Sequence, residues 1–191
     1  MSSPQWSVHG YAIVCEAGCI ADAAGALPPA LMNDADWAYF QAELDRADLC
    51  VLGRASHDVA PNPQGRARVV MTRAVQGLVR AEGAWLWNPA DVPPAAMLAA
   101  LLPKGGRVAV PGGRGPFDLF LAHGYAGFHL SRKTGISLSG GAPVFTRTAG
   151  MSGAPEDHLR AAGLIPGETR AIDPADGVTL VIWAPPQETA P

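Results

Sequence analysis

The stretch RVAVPGGRGPFDLFL, Arg107 to Leu121, predicts a passage from a buried strand into a helix. Small apolar residues alternate in RVAV, and the apolar run PFDLFLAHG (116–124) is typical of a helix that stops at a glycine. Between them lie Gly112, Gly113 and Gly115. This bare backbone has two interpretations: a tight turn, or a place where an anion approaches the N–H groups that begin a helix. The surrounding sequence has to decide between them.

The composition predicts one globular domain over residues 1–191, with the Pro-rich end, about 185–191, as a frayed tail. Of the 191 residues, 48% are apolar and 16% are charged, and the net charge of −3 includes no basic block. Binding to nucleic acid is therefore not expected. No apolar run approaches the roughly 18 residues of a membrane span, and the N-terminus lacks the pattern of a signal peptide. We expect a cytoplasmic protein that associates with no membrane.

Apolar runs and turn residues predict strands that alternate with helices, which indicates an α/β fold with a mostly parallel central sheet. One helix is expected to carry Trp37, Phe40 and Leu44 on one face. Residues 141–177 predict loops or an irregular hairpin, with one or two helical turns in 157–162. The predicted strands are 6–15, 48–53, 67–72, 84–87, 107–110, 126–131 and 178–184, and a further helix is predicted at 95–102.

Two other predicted strand ends carry residues suited to phosphate. Gly53, Arg54 and Ser56 follow one strand, and Thr72 and Arg73 follow the next. Arginine matches the geometry of phosphate, and in parallel sheets ligands bind beyond the carboxyl ends of the strands. Each motif alone is also consistent with a surface arginine beside a helix-capping hydroxyl. Together, the three strand ends favour a nucleotide site.

Asp34 and Asp36 precede the helix that carries Phe40 and also have two interpretations. Either carboxylate can cap the helix. Alternatively, one of them binds a planar heterocycle through paired N–H donors. The histidines show no metal-ligand spacing, so we expect no metal, and no serine lies in a Gly-x-Ser-x-Gly motif.

The order and spacing of these motifs resemble the dihydrofolate reductase-like superfamily, which includes the reductase domain of riboflavin biosynthesis. Pro29 stands where dihydrofolate reductases have a tryptophan, and SLSGGAPVF (137–145) is closer to the riboflavin-type branch. The resemblance implies a three-layer fold with a mostly parallel central sheet and an antiparallel C-terminal strand, and the riboflavin-type branch implies a homodimer. The matching segments are IADAAGALP (20–28), DADWAYF (34–40), VLGRAS (51–56), VVMTR (69–73), VPGGRGPFDLFL (110–121) and FHLS (128–131).

The resemblance also implies roles for individual residues. NADPH is the implied cofactor, and the family joins the glycine pair that matches Gly112 and Gly113 by a cis peptide bond. Asp36 is the implied catalytic acid, with Asp34 as the alternative, and Asp36, Phe40 and Ser131 are the implied substrate contacts. The implied cofactor contacts are Ile20, Ala21, Gly53, Arg54, Ser56, Thr72, Arg73, Gly112, Gly113, Arg114, Gly115 and Phe117.

The function that this resemblance implies is an NADPH-dependent reductase that transfers hydride to a C=N bond of a pterin or a related pyrimidine. The first alternative is a riboflavin-pathway reductase of the 5-amino-6-(ribosylamino)uracil type. The zinc signature of the deaminase domain usually fused to that enzyme is absent from the sequence. A second alternative, from a different class, is a nucleotide- or pterin-binding module without turnover. A third is a structural α/β domain whose glycines only form turns.

Overall fold

A computed structural model describes residues 5–147 and 153–187 of the chain. The strands are β1 (Trp6–Val14), β2 (Cys19–Ala21), β3 (Leu49–Gly53), β4 (Arg68–Met71), β5 (Leu78–Ala81), β6 (Ala84–Trp87), β7 (Gly106–Gly112), β8 (Gly127–Lys133), β9 (Ala142–Pro143), β10 (Ile165–Pro166), β11 (Arg170–Asp173) and β12 (Val178–Ala184). The helices are α1 (Asp34–Asp45), α2 (Arg54–Val59), α3 (Pro94–Leu101), α4 (Arg114–His123) and α5 (Pro155–Ala161), with a 3-10 helix at Pro29–Leu31.

A ten-stranded sheet organises the fold, and its strand order is β10-β12-β8-β1-β7-β3-β4-β6-β5, with β11 paired to β12. The six strands from β8 to β6 are parallel to one another. Antiparallel pairs close both edges, β12 on β8 and β5 on β6. The predicted mostly parallel sheet with an antiparallel C-terminal strand is confirmed. Because the central strands are parallel, their carboxyl ends lie along one edge of the sheet.

Helices cover both faces of this sheet and make the three-layer arrangement. On one face, Leu44 of α1 packs on Tyr11, Cys50, Leu52 and Ala109. On the other face, a larger core joins the middle strands to α3, α4 and α5. Its fully buried helical side chains are Met97, Leu98, Phe117, Phe120 and Leu159. No helix in the described part of the chain has the length and apolar character needed to cross a membrane.

Helix α1 differs from the prediction in its cap and in its buried face. Asn33, and neither aspartate, is the N-cap, since its side-chain oxygen accepts a hydrogen bond from the Asp36 N–H at 3.0 Å. Trp37 is 56% exposed, so the predicted apolar face is wrong at that position. Phe40 is half-buried and Leu44 is buried. Asp36 is thereby free of the capping role that the sequence allowed for it.

The bend at Gly112 and Gly113 also differs from its expectation. No peptide bond in the described residues is cis, so the expected cis bond between these glycines is wrong. The chain turns instead because Gly113 adopts φ 92° and ψ 123°, a conformation that a side chain would strain. The strand runs two residues beyond the predicted RVAV, to Gly112, and the helix starts two residues before Pro116.

Several short strands were not predicted from the sequence. These are β2, β5, β9, β10 and β11, of two to four residues each. Within 141–177, the predicted one or two helical turns are present as the seven-residue α5, which starts two residues earlier, and β11 forms an antiparallel hairpin with β12. Residues 185–187 have no regular secondary structure, and the rest of the predicted frayed tail lies outside the described residues.

Candidate active site at the carboxyl ends of the parallel strands

The glycine-bearing ends of β3 and β7 lie against each other. A Cβ on Gly113 would lie 3.1 Å from the Gly53 nitrogen, and one on Gly112 would lie 3.2 Å from the Ser56 Oγ. Ser56 is the third residue of α2, which begins at Arg54 and not at Ser56. The structure thus brings together Gly53, Ser56, Gly112 and Gly113. A side chain at Gly113 would crowd the backbone of Gly53, whereas a Cβ on Gly53 itself would lie 3.6 Å from its nearest neighbours.

The ends of β3 and β7 form a glycine-bearing wall of the site, and strand β4 adds one more strand end to it. Met71 pairs in register with Gly53, and a Cβ on Gly115 would lie 2.6 Å from the Met71 Cε. Thr72 follows directly, and its hydroxyl oxygen accepts a hydrogen bond from the Ala74 N–H at 3.2 Å. The predicted convergence of three strand ends is therefore present in the fold. The roles of these residues in cofactor binding stay predictions.

Three exposed arginines surround the wall. The Arg54 Nε donates to both Asp58 carboxylate oxygens, at 2.9 and 3.1 Å, in a pair that is about half exposed. Such exposed pairs are weak and do not prevent arginine from taking another anion. Arg73 and Arg114 are exposed, and neither forms an ion pair with any residue in 5–147 or 153–187. Positive charge is thus available where phosphate was predicted.

The start of α4 offers fewer N–H donors than the sequence suggested. The Phe117 N–H already donates to the Gly113 carbonyl at 3.1 Å, and Pro116 has no N–H. The Phe117 ring is 1% exposed and packs edge-on against Phe128. Both the amide and the ring of Phe117 are thus used by the fold, and a contact between Phe117 and the cofactor stays a prediction. The N–H groups of Arg114 and Gly115 are the donors at this helix start.

Ile20 and Ala21, the implied contacts of the nicotinamide ring, lie on β2. This strand pairs with β9 in a separate two-stranded sheet, with Cys19 opposite Pro143 and Ala21 opposite Ala142. Ala21 is buried, and Ile20 packs against the large core. The pairing to β9 fixes the start of the segment 17–31.

The two candidate acids have different surroundings. Asp34 is exposed at the first position of α1, whereas Asp36 is half-buried and faces Ser131 of β8, which is 2% exposed. Burial raises the pKa of Asp36, and a hydrogen bond from the Ser131 hydroxyl opposes the rise in part. The structure brings two of the predicted substrate residues together and separates Asp34 from them.

Phe40, the third predicted substrate residue, lies four residues after Asp36 on α1 and is half-buried. Its ring packs edge-on against Tyr11 at 6.1 Å and against Trp37 at 5.6 Å between centroids. Much of this ring supports α1 on the sheet. Its partly exposed surface and the exposed Trp37 form an aromatic surface near Asp36.

A buried ion pair that the sequence analysis missed holds the second half of α1. The Glu43 Oε2 accepts from the Arg107 Nη2 at 2.6 Å and from the Tyr11 hydroxyl at 3.1 Å, while its Oε1 accepts from the Arg46 Nη1 at 3.1 Å. Glu43 is only 7% exposed. Burial alone would raise the pKa of Glu43, but His129 and these donors bring it below its ordinary value.

Half-buried His9 and buried His129, which the sequence analysis also missed, continue this network toward the substrate side. The His9 Nε2 lies 3.0 Å from the Arg107 Nη1, and the His9 Nδ1 lies 3.3 Å from the His129 Nε2. The His129 Nδ1 lies 2.5 Å from the Tyr39 hydroxyl. Burial, chiefly, lowers the pKa of His9 to about 4 and that of His129 to about 3, so both rings are neutral at pH 7. The alternation of His129, Ser131 and Lys133 along β8 could have indicated polar side chains on one face of the strand, but not their partners.

The Asp36–Ser131 pair and the glycine-bearing strand ends lie along the edge formed by β8, β1, β7, β3 and β4, whereas Arg107 lies at the amino end of β7. Four strand spacings amount to about 19 Å, which suits an elongated ligand. One end presents a half-buried carboxylate and hydroxyl, and the other presents glycines, free helix N–H groups and exposed arginines. Such a site can bind a planar heterocycle at one end and phosphates at the other.

Known structures resemble this chain over nearly its whole length, although no family model and no curated protein matches it. A Shewanella sp. PV-4 protein assigned to riboflavin biosynthesis is 18% identical (TM-score 0.66), covering 95% of this chain and 99% of that one. The diaminohydroxyphosphoribosylaminopyrimidine deaminase/5-amino-6-(5-phosphoribosylamino)uracil reductase of Thermotoga maritima is 16% identical (TM-score 0.68), covering 95% of this chain and 57% of that one. An Enterococcus faecalis dihydrofolate reductase, complexed with NADP(H) and RAB-propyl, is 16% identical (TM-score 0.66), covering 96% and 98%.

These likenesses and the strand order define the class of fold. The chain has the dihydrofolate reductase-like fold, as the resemblance in the sequence implied. At 16–18% identity, the residues that carry the activity have to be argued from the site itself.

Proposed function

We propose that this protein is an NADPH-dependent reductase that transfers hydride to a C=N bond of a pterin or a related pyrimidine. The observation that carries the proposal is the Asp36–Ser131 pair, a half-buried carboxylate with a raised pKa. It lies on the same sheet edge as the glycine wall of β3 and β7. The dihydrofolate reductase-like fold, shared with reductases, supports the same conclusion.

The chain's residues fit a dinucleotide phosphate cofactor. Exposed Arg73 and Arg114 are free of ion pairs within the described ranges, and Arg54 holds only an exposed partner. The free N–H groups of Arg114 and Gly115 add neutral donors at the start of α4. When bound, NADPH supplies the hydride, and the protein supplies alignment and electrostatics.

Asp36 is proposed to bind the heterocycle and to favour protonation of its ring nitrogen. A carboxylate accepts hydrogen bonds from an amino group and a neighbouring ring N–H of a pterin or pyrimidine. The raised pKa brings the protonated form of Asp36 nearer to neutral pH, which favours protonation of the ring nitrogen that accepts hydride. In this proposal the Ser131 hydroxyl orients the carboxylate, and residues 17–31 would close over the site and exclude water.

A riboflavin-pathway reductase of the 5-amino-6-(ribosylamino)uracil type is the second candidate. It is favoured by the likeness to the Shewanella and Thermotoga proteins and by the pairing of β9, within GGAPVF (140–145), to β2. Its substrate also presents a pyrimidine to Asp36, so both candidates use the same acid. Binding without turnover is the alternative from another class.

Loss of NADPH absorbance with dihydropterins and with a ribosylaminopyrimidine tests the proposal directly. We expect Asp36→Asn to lower kcat by at least about 100-fold with an unchanged Kd for NADPH, because it removes the proton-handling group and leaves the cofactor end intact. Asp34→Asn is the matched control and is expected to retain activity, since Asp34 is exposed.

One result would contradict the reductase assignment, and another would contradict the assignment of the acid. NADPH binding without oxidation in the presence of either substrate would favour the non-catalytic module. Equal loss of turnover in Asp34→Asn and Asp36→Asn would show that the structure does not discriminate the two acids as described.

A further inference from the structure

A chain of hydrogen bonds leads from Arg107, through His9 and His129, to the Tyr39 hydroxyl. The successive heavy-atom distances are 3.0, 3.3 and 2.5 Å. His129 is 6% exposed, and the two imidazole centroids lie 5.5 Å apart. The chain therefore joins the buried ion pair under α1 to a side chain on the substrate side of the same helix.

Arg107, the first member of this chain of hydrogen bonds, fixes the direction in which the hydrogens are donated. Arginine can only donate, so the His9 Nε2 that meets the Arg107 Nη1 must accept. A neutral His9 then carries its hydrogen on Nδ1 and donates it to the His129 Nε2. His129 in turn carries its hydrogen on Nδ1 and donates it to the Tyr39 oxygen. The neutral state follows from the pKa values of about 4 and about 3 that burial gives these rings.

The Tyr39 oxygen consequently acts as an acceptor toward the protein. It receives one hydrogen bond from His129, and the Arg170 guanidinium carbon lies 5.9 Å from the Tyr39 ring centroid. Because the His129 Nδ1 donates, it cannot also accept the phenolic hydrogen. The phenolic hydrogen has to be donated elsewhere, and no residue in 5–147 or 153–187 accepts it.

The Tyr39 hydroxyl lies close to Asp36, the acid proposed to bind the substrate. Tyr39 lies one turn after Asp36 on α1, and His129 lies two residues before Ser131 on the same face of β8. The pairs Asp36–Ser131 and Tyr39–His129 therefore stand side by side. Helix and strand spacing put them roughly 5–7 Å apart.

We propose that Tyr39 is a further substrate-binding residue, whose hydroxyl donates a hydrogen bond to an oxygen acceptor on the heterocycle that Asp36 binds. An acceptor next to a donor on one ring edge is the pattern of a lactam, an N–H beside a C=O. The site accordingly selects 2-amino-4-oxo rings over 2,4-diamino rings, whose second amino group would place a donor against a donor. This inference rests on the proposed function and specifies the substrate edge that the site reads.

Binding of two pteridines tests the contact without requiring turnover. Pterin and 2,4-diaminopteridine differ by an oxo and an amino group at one position, and their Kd values are measured with and without NADPH. We expect Tyr39→Phe to weaken pterin binding about tenfold and to leave 2,4-diaminopteridine binding unchanged or stronger. Tyr125→Phe is the matched control, because Tyr125 is buried on the other face and bonds to the Phe117 carbonyl.

The direction of the hydrogen-bond chain has its own readout. Two-bond nitrogen–proton NMR spectra of the labelled imidazoles distinguish a hydrogen on Nδ1 from one on Nε2. We expect His9 and His129 both to be neutral with the hydrogen on Nδ1 at pH 7. A hydrogen on Nε2 of His129 would reverse the chain and overturn the inference, since Tyr39 would then donate inward.

The outcomes separate this inference from the proposed function. Wild-type protein that binds neither pteridine contradicts a pterin as the substrate of the proposed function, and the inference with it. Pterin binding that is equally strong in wild type and Tyr39→Phe contradicts the inference alone. A pterin-specific loss in Tyr39→Phe, with the Nδ1 hydrogens in place, supports it.

Discussion

At the scale of single residues, burial of the Asp36 carboxylate lowers the stability of the fold, and the proposed function of Asp36 accounts for this loss. Its pKa is raised because burial disfavours the charged form, and the Ser131 hydroxyl offsets only part of that effect. A carboxyl whose pKa is higher in the folded state destabilises the fold at every pH above that pKa. Below the unfolded pKa of about 4 the penalty disappears, since both states are protonated.

Asp36→Asn is therefore expected to raise the free energy of unfolding at pH 7 while it abolishes turnover. Asparagine keeps an oxygen that can accept from Ser131 and carries no charge to desolvate. The gain should shrink as pH falls toward about 3, because the wild-type carboxyl then becomes neutral too. Urea unfolding at pH 7 and at about pH 3 measures this gain in the free energy of unfolding. An Asp36→Asn variant less stable than wild type at pH 7 would show that burial of the Asp36 carboxylate does not destabilise the fold.

Gly113 is the second residue on which the shape of the site depends, because its backbone conformation and close contacts require a glycine. Its φ of 92° disfavours any side chain, and a Cβ would lie 3.1 Å from the Gly53 nitrogen and 3.2 Å from the Pro116 Cδ. Gly124, at the other end of α4, has φ 114° but open space around it. The two glycines share the backbone conformation and differ in their contacts.

Gly113→Ala is expected to cost about 2–4 kcal/mol of stability, and Gly124→Ala about 1 kcal/mol, because only the first adds crowding to backbone strain. NADPH affinity should fall in Gly113→Ala alone, since the change separates the ends of β3 and β7. Thermal unfolding and cofactor titration measure both effects. Equal costs at the two positions would argue that the close packing at Gly113 is relaxed in solution.

At the scale of elements, α1 is tied to the C-terminal hairpin as well as to the sheet. The Asn33 side chain accepts from the Asp36 N–H and donates to Asp173 and to Asp176, at 2.9 Å each. Lys133 of β8 pairs with Asp176 at 2.5 Å. One capping residue thus connects the helix that carries the acid to the turn between β11 and β12.

Substitution at Asn33 separates these two connections. Asn33→Ala is expected to destabilise the protein by about 1–2 kcal/mol, because the cap and the hairpin contacts are both lost. Asn33→Ser keeps an acceptor for the cap and removes only the amide donors, so it should cost less than half as much. Chemical denaturation measures both, and equal costs would mean that the cap contributes nothing.

The same elements show what the sequence could and could not predict. The apolar runs around Val51 and Val69 predicted β3 and β4, because buried strands of a parallel sheet are apolar on both faces. The run VTLVIWA predicted the antiparallel β12 in the same way, although that strand is only partly buried. The strands β9 and β10 lack such runs and depend on partners distant in sequence, whereas the short strands β5 and β11 form hairpins with the strands that follow them. Trp37 was assigned to the buried face because it is apolar, yet only tertiary packing decides which apolar side chain stays exposed.

In the site, the sequence predicted which residues lie at the strand ends better than it predicted their burial and their hydrogen-bond partners. Glycines and arginines at strand ends are visible in the sequence, and their convergence follows from parallel strands. The burial of Phe117 and the network of His9, His129 and Tyr39 depend on the register of β1 and β8, which no local pattern reveals. Tyr11 and His129 are partners in that register.

At the scale of the whole molecule, buried neutral histidines make the fold sensitive to acid. His9 and His129 have pKa values lowered to about 4 and about 3, chiefly by burial, against about 6.5 when unfolded. Above pH 6.5 neither state binds these protons, so stability is unaffected. As pH falls from about 6.5 toward the folded pKa values, only the unfolded chain takes up protons, and stability is lost.

The free energy of unfolding should therefore fall steeply between pH 6 and pH 4. Near pH 5 the expected slope is roughly 1.4 kcal/mol per pH unit for buried His129, and less for His9, whose ring is partly exposed and screened by solvent. Glu43 adds to the loss below about pH 4.5, because its pKa is lowered in the folded state and its ion pair with Arg107 is broken on protonation.

His129→Gln tests this reading of acid sensitivity. The variant should be less stable than wild type at pH 7, because the hydrogen bonds to His9 and Tyr39 are altered. Its stability should nevertheless fall less steeply between pH 6 and pH 4, since one proton-binding group is gone. His123→Gln, at the last position of α4, is the matched control and should keep the wild-type slope because that ring is exposed. An unchanged slope in His129→Gln would mean that the His129 ring is protonated in the folded protein, which is incompatible with a chain of donors directed toward Tyr39.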